Sequence, residues 1–326
     1  MPQPSIAYAV GRVRATARKP LGEAQLERLL AAPSFEDARH ALAEMGWSGA
    51  EDEDIGRLSV QMQELACAKI REITPDGQLT DLFLLRYDAQ NLKTLFKARI
   101  LGEPSEDLSL CGTLSPDTLR HAVLEHVYNK LPAEFAAAMT ALEKRIVLGI
   151  NPMEIDAKID QAYYKTVQHN LKKSKSKAAA DYFSAKADLQ NAVTFLRLLA
   201  MKERTLSMDD LLLPGGTISN KVWLALMDTP EKLPRLFLSY GQGIRAVLSA
   251  ALLNHKAIPA LEKVSDDYLL SLFRPFRHEP FAIEALIGWL LAHEREGGAV
   301  RLIMAGKRNG FSEYLIRERL REAYGR

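Results

Sequence analysis

Two side-chain pairs in this chain set a carboxylate beside an amide, the first place to look for chemistry. Asp88 stands three residues before Asn91, and one hundred positions later Asp188 stands three residues before Asn191. Residues three apart on a helix project from one side, so each pair forms a carboxylate–amide unit. Catalysis needs a nucleophile, or a base held by an orienting group, and neither accompanies these pairs. A weaker third copy occupies Glu296–Ile303, where Glu296 replaces the Asp, Ala299 replaces the Asn, and Arg301 follows. A carboxylate at a half-buried position requires a cation or hydrogen-bond donors, because leaving it unpaired costs several kcal/mol. Two readings meet that requirement: a structural tether to an Arg on a neighbouring helix, which is the expectation, or a contact with a partner protein.

The elements that position these pairs repeat as well. Phe83–Ile100 (FLLRYDAQNLKTLFKARI) matches Phe183–Ala200 (FSAKADLQNAVTFLRLLA), aligning Phe83 with Phe183 and Lys97 with Arg197. Leu85, Ala89, Leu92, Phe96 and Ile100 recur at steps of three and four, the apolar stripe of an amphipathic helix. The acidic and amide side chains lie along its edge. Beyond each helix comes Gly112-Thr113-Leu114-Ser115 or Gly216-Thr217-Ile218-Ser219, where Gly stops one segment and Ser or Thr caps the next. Two landmarks in one order make a tandem repeat. Its units are expected at 1–115, 116–217 and 218–326.

The composition is that of an ordinary water-soluble chain: 326 residues, 47% hydrophobic, 26% charged, formal net charge +2. That length holds two or three domains. The net charge conceals a gradient, with residues 1–115 summing to −4, 116–217 to +2 and 218–326 to +4. Cys67 and Cys111 are too few for a disulfide framework or a cysteine-rich metal site, which points to a reducing cytoplasm. Met1-Pro-Gln-Pro4 leads into no apolar core, so no signal peptide is expected. The longest apolar run, Ala285–Ala292, falls well short of the ~20 residues that cross a bilayer.

Capping residues, turns and periodicity predict helices throughout. They are expected over Ser5–Lys19, Glu23–Ala31, from Ser34 to Met45, and from the acidic Glu51–Asp54 to Ile73. In the second unit they start at Ser115 and at Pro132, the latter running to Leu148, and at Met153. The third unit is expected to contain helices at Lys221–Met227, Glu231–Tyr240, Gly243–Leu253, Asp266–Arg274 and Glu279–Glu294, with a final helix capped by Ser312. No stretch alternates with period two, so the fold class is all-α. Lys172, Lys173, Lys175 and Lys177 form a basic run after the Met153 helix. It reads as a solvated face or as a contact for a partner or membrane surface.

Other motifs fail on context. Gly241-Gln-Gly243-Ile-Arg-Ala246 spells a dinucleotide fingerprint but lacks the preceding strand and βαβ unit, and fits a helix–helix turn. Gly306-Lys307 lacks the remaining residues of a phosphate loop. The seven His show no metal-ligand spacing, and no Gly-x-Ser-x-Gly elbow occurs. Neither a catalytic, a cofactor nor a metal site is expected, and scattered aromatic residues argue against nucleic-acid binding.

Several segments together resemble one family. They are Tyr8-Ala-Val-Gly-Arg-Val-Arg14, Tyr87-Asp88-Ala-Gln-Asn91-Leu-Lys93, Asp188-Leu-Gln-Asn191, Leu213-Pro-Gly-Gly-Thr-Ile-Ser219 and Arg301-Leu-Ile-Met-Ala-Gly-Lys307. The chain resembles the C subunit of V-type (V/A-type) ATP synthases, equivalent to the d subunit of the eukaryotic vacuolar enzyme. It departs in the last copy, with His293-Glu294 where the family usually has Lys-Glu and Ala299 where it has Asn. The resemblance implies three helical units with pseudo-threefold symmetry in a funnel-shaped body. It also implies a non-catalytic rotor subunit, one copy per complex, that couples the central stalk to the membrane ion-translocating ring. The implied location is the cytoplasmic inner face of the membrane, peripheral to it. The competing reading is a helical-repeat scaffold for a soluble partner, which usually repeats every ~20–50 residues.

Overall fold

A computed structural model describes residues 4–16, 19–51, 54–105, 107–146, 149–201 and 205–324. The first three residues of the expected signal-free start, Ala17 and Arg18 of the expected Ser5–Lys19 helix, Asp52, Glu53 and Leu148 lie outside the described residues.

Local signals place the first helices: α1 (Ile6–Thr16), α2 (Glu23–Ala31), α3 (Phe35–Glu44) and α4 (Ile55–Ile73). Ser34 Oγ accepts the Asp37 amide and starts α3. Of the acidic cluster before α4, Asp54 is the cap: its carboxylate accepts Arg57 N at 3.0 Å, so the helix begins at Ile55 rather than at Glu51. There follow α5 (Gly77–Leu101), α6 (Pro116–Leu124), α7 (Ala133–Ile146), α8 (Pro152–Leu171) and α9 (Lys177–Ala200). Ser115, Asn151 and Ser176 cap α6, α8 and α9 through their side-chain oxygens.

The next segment is more broken than its sequence suggests. It holds α10 (Met208–Leu211), α11 (Asn220–Leu226), α12 (Leu233–Leu236), α13 (Gln242–Leu253) and α14 (Ile258–Ser271). The helix expected over Glu231–Tyr240 is instead α12 between two 3₁₀ turns, because Pro230 and Pro234 bring no N–H to a continuous ladder. The helix expected at Asp266–Arg274 starts eight residues earlier, at Ile258. Last come α15 (Glu284–Arg308) and α16 (Glu313–Arg319), which Ser312 caps. The expected Glu279–Glu294 helix and the third signature are one element, α15, which the Gly297-Gly298 pair does not interrupt. No strand occurs among the described residues, in keeping with the all-α expectation.

The chain forms two compact units, one from Met1–Thr80 with Asp266–Arg326, the other from Asp81–Ser265. In the first, α15 lies against α1, α2, α3 and, most broadly, α4. Leu29, Leu42, Trp47, Leu58, Val300, Ile303 and Ile316 are among the side chains that fill its core. Gly297 has a structural reason to stay Gly: a Cβ there would stand 2.8 Å from Ser59 Oγ on α4. Gly306 is held likewise, since its Cβ would meet Ile316 Cδ1 at 2.6 Å.

In the second unit α5 and α9 form the interior. Leu82, Phe83, Leu84, Leu85, Ala89, Leu92, Leu95 and Phe96 of α5 are all buried, so the apolar surface wraps most of the helix instead of one stripe. Only Ile100 of the expected stripe is exposed. The matched Phe83 and Phe183 meet directly, ring centroids 4.8 Å apart.

Candidate functional site

Asp188 lies on α9 and is fully buried. Its Oδ2 accepts hydrogen bonds from Thr217 N at 2.8 Å, Thr217 Oγ1 at 2.6 Å and the Tyr240 hydroxyl at 2.7 Å. Its Oδ1 accepts Ile218 N at 3.2 Å. One turn on, Asn191 brackets a backbone peptide: Nδ2 donates to Leu213 O at 2.9 Å, and Leu213 N donates to Oδ1 at 2.8 Å. The pair therefore ties α9 to the whole 213–218 loop.

The first copy has the same geometry. Asp88 accepts Thr113 N at 2.7 Å and Thr113 Oγ1 at 2.6 Å on one oxygen, and Leu114 N at 3.1 Å on the other. Asn91 exchanges two hydrogen bonds with Ser109, at 2.8 and 2.9 Å. The glycine of each loop is required by this approach. A Cβ on Gly112 would sit 2.1 Å from Asp88 Oδ1, and one on Gly216 would sit 2.0 Å from Asp188 Oδ1.

The expectation of an Arg partner is thus corrected. Asp88 and Asp188 are fully buried, not half-buried, and are answered by backbone amides and hydroxyls of the Gly-Thr-(Leu/Ile)-Ser loop. A carboxylate gains charge-assisted bonds from such donors without the cost of burying a second ion. These are anchors, both oxygens of each carboxylate already accepting an internal donor.

Glu296 on α15 reproduces the lock with altered parts. Its Oε1 accepts Leu21 N at 3.2 Å, as Asp88 accepts Leu114 N and Asp188 accepts Ile218 N. By this register Pro20 stands where Thr113 and Thr217 stand. Proline has neither an N–H nor a hydroxyl, so two of the standard donors are gone. The carboxylate instead accepts Trp47 Nε1 at 3.0 Å, and its second oxygen lies 3.2 Å from His293 Nδ1. The loss of Asn at Ala299 has a matching cause. The residue corresponding to Ser109 and Leu213 is Thr16, which closes α1, so a helix replaces the extended loop that the Asn brackets. Ala299 joins the core instead. Arg301 donates from Nη1 to Ser59 Oγ at 2.7 Å on α4. Lys307 donates to Leu30 O at 2.8 Å and to Ala32 O, holding the C-terminal end of α2, and burial lowers its pKa.

Ion pairs run beside the first two locks. Lys93 and Lys97 of α5 meet Asp160 and Asp156 of α8 at 2.5 and 2.6 Å, and Arg197 of α9 meets Glu262 of α14 at 2.6 Å. Burial raises the Asp160 pKa despite the opposing Lys93 ammonium. The repeat-matched Lys97 and Arg197 thus do the same job.

The remaining candidates are placed as follows. Lys172, Lys173, Lys175 and Lys177 are exposed at the turn from α8 to α9. Gly241, at φ 91°, precedes α13 in a turn between helical segments, and no strand leads into it. Among the described residues no group of three or more His, Cys, Asp or Glu is placed to hold a metal ion. No helix among them is long and apolar enough to cross a membrane. Sequence reasoning missed Leu21, Trp47, Tyr240 and Lys307. The only sequence signal for Leu21 was Pro20-Leu21-Gly22 standing ahead of α2 as Gly112–Ser115 stands ahead of α6.

A family described as "ATP synthase (C/AC39) subunit" matches residues 9–319. Similar curated proteins include the C subunit of the V-type sodium ATPase of Enterococcus hirae, 24% identical over 78% of this chain and 78% of that protein. The C subunit of the A-type ATP synthase of Haloferax volcanii is 25% identical over 96% of each. That of Methanosarcina mazei is 25% identical over 96% of this chain and 92% of its own length.

Proposed function

The chain belongs to the ATP synthase (C/AC39) subunit family, a component of rotary ATPases, and from that premise we propose that it is the non-catalytic coupling between the central stalk and the membrane ion-translocating ring. Torque arriving from the stalk passes through its helices to the ring, with one copy per complex at the inner, cytoplasmic face of the membrane. Its helical repeats are three, 1–115, 116–217 and 218–326.

The observation that carries this reading is the thrice-repeated carboxylate lock. Each signature helix is fastened to the loop that opens a following unit, and the third, through Glu296, is fastened to Leu21 near the chain's start. Open solenoids leave their end units without such a bond. A closed set of fastened helices suits a part that transmits force, because packed interiors are stiff and yield little under load. Contacts for a stalk and a ring are surfaces, which agrees with buried carboxylates engaged by internal donors.

The test is retention of the full chain on immobilised central-stalk subunits and on detergent-solubilised rotor rings from the same organism. The coupling reading expects both to retain it. Retention by neither would remove that reading in favour of a scaffold for a soluble partner.

A further inference from the structure

The turn between α8 and α9 is a small, internally hydrogen-bonded feature that the coupling reading does not use. Lys173 N donates to Asn170 O at 3.0 Å and Ser174 N to Leu171 O at 2.9 Å. Ser174 Oγ accepts Ser176 N at 3.1 Å, and Ser176 Oγ accepts Ala179 N at 3.1 Å as the cap of α9. The serines are therefore turned inward and half-buried, while Lys172, Lys173, Lys175 and Lys177 are all exposed to solvent.

Among the described residues none of these four ammonium groups has an ion-pair partner, and Asp181, the next carboxylate along α9, pairs with none of them. Elsewhere in the same unit Lys93, Lys97, Arg99, Arg145 and Arg197 are each paired with a carboxylate. The first turn of α9 has no acidic residue, so Lys177 adds its charge where the helix end is already positive. Four exposed ammonium groups thus stand within six residues, with no ion-pair partner among the described residues.

From this we infer that the Lys172–Lys177 turn is a docking surface for an anionic lipid bilayer. Lysine ammoniums are point charges without the fork that selects a single carboxylate. Protein hot spots are enriched in large aromatic side chains and Arg. Among the described residues no large hydrophobic side chain is exposed between Met153 and Val222. What remains is a set of long-stemmed cations suited to a diffuse, phosphate-bearing plane, of the size that recognises acidic leaflets.

The experiment is co-sedimentation of the full chain with vesicles of phosphatidylcholine alone or mixed with phosphatidylglycerol, at low and high salt. Wild type is expected to bind the mixed vesicles at low salt and to release at high salt, since such contacts are screened. The K172S/K173S/K175S/K177S variant is expected to keep its melting temperature and lose affinity by on the order of a thousandfold. A K172Q/K173Q variant should fall between the two. Equal binding to neutral vesicles, unchanged affinity in the fourfold variant, or displacement by millimolar inorganic phosphate would each overturn the inference. So would an intact vesicle interaction in the fourfold variant together with lost retention on stalk subunits, which would assign the turn to an acidic protein face. The vesicle outcomes leave the coupling reading untouched, since that reading is tested by retention of the wild-type chain.

Discussion

Replacing Asp188 with Ala removes the acceptor from four donors at once: two backbone amides, one threonine hydroxyl and the Tyr240 phenol. The hydroxyls can rotate toward other acceptors, whereas Thr217 N and Ile218 N are fixed by the loop. Each buried amide left without an acceptor costs about 1–3 kcal/mol. The two amides together cost about 2–6 kcal/mol, and removing the buried carboxylate returns part of its desolvation cost, which leaves a net of about 2–4 kcal/mol. At about 2–4 °C per kcal/mol for a unit of this size, the melting temperature should fall by about 4–16 °C. Calorimetry or circular dichroism on the purified chain measures this directly. Asp188→Asn should recover little, because its amide must turn an N–H₂ toward Ile218 N or toward the three donors on Oδ2. A shift under about 2 °C in Asp188→Ala would refute the idea that these donors depend on the carboxylate. Unchanged melting combined with lost retention on stalk subunits would make Asp188 an interface residue.

Gly216→Ala should destabilise by about 2–3 kcal/mol in urea titrations, since the new methyl must displace the carboxylate 2.0 Å away and open the lock. Glu296→Asp should destabilise the first unit because the shorter side chain no longer reaches Leu21 N and Trp47 Nε1. Adding Pro20→Thr should restore part of the loss, and a double-mutant cycle with no coupling would disprove the equivalence of Pro20 with Thr113 and Thr217. Burial alone would raise the Glu143 pKa, but the Tyr128 hydroxyl and Arg99 outweigh it and hold the pKa below the usual 4.5. Its contribution to stability is therefore present above about pH 4.5 and lost as the pH falls through the lower folded-state value, so Glu143→Gln should flatten the acid limb of the stability curve.

The helical fold and the repeated pairs were legible in the sequence because both rest on side-chain pattern. Asp88, Asn91, Asp188 and Asn191 announce themselves by recurring with the same neighbours. Their partners were not legible, because a sequence displays side chains and hides backbone N–H groups. A buried carboxylate suggested an Arg, while the donors were the amides of loops already marked by Gly112 and Gly216. Glu296 was legible as a degenerate Asp, yet its reason was Pro20, 276 positions away. Helix α15 ran through Gly297-Gly298 because close packing against Ser59 outweighs the propensity cost of glycine.

The first compact unit is assembled from both ends of the chain, whereas the second is one continuous stretch. On the ribosome, residues 81–265 can therefore settle while the leading helices are still waiting. Leu29, Leu42 and Trp47 share their core with Val300, Ile303 and Ile316, and so acquire that cover only when α15 and α16 emerge. A nascent chain halted before Glu284 should expose that apolar surface to chaperones and proteases, and release past Arg319 should end the exposure.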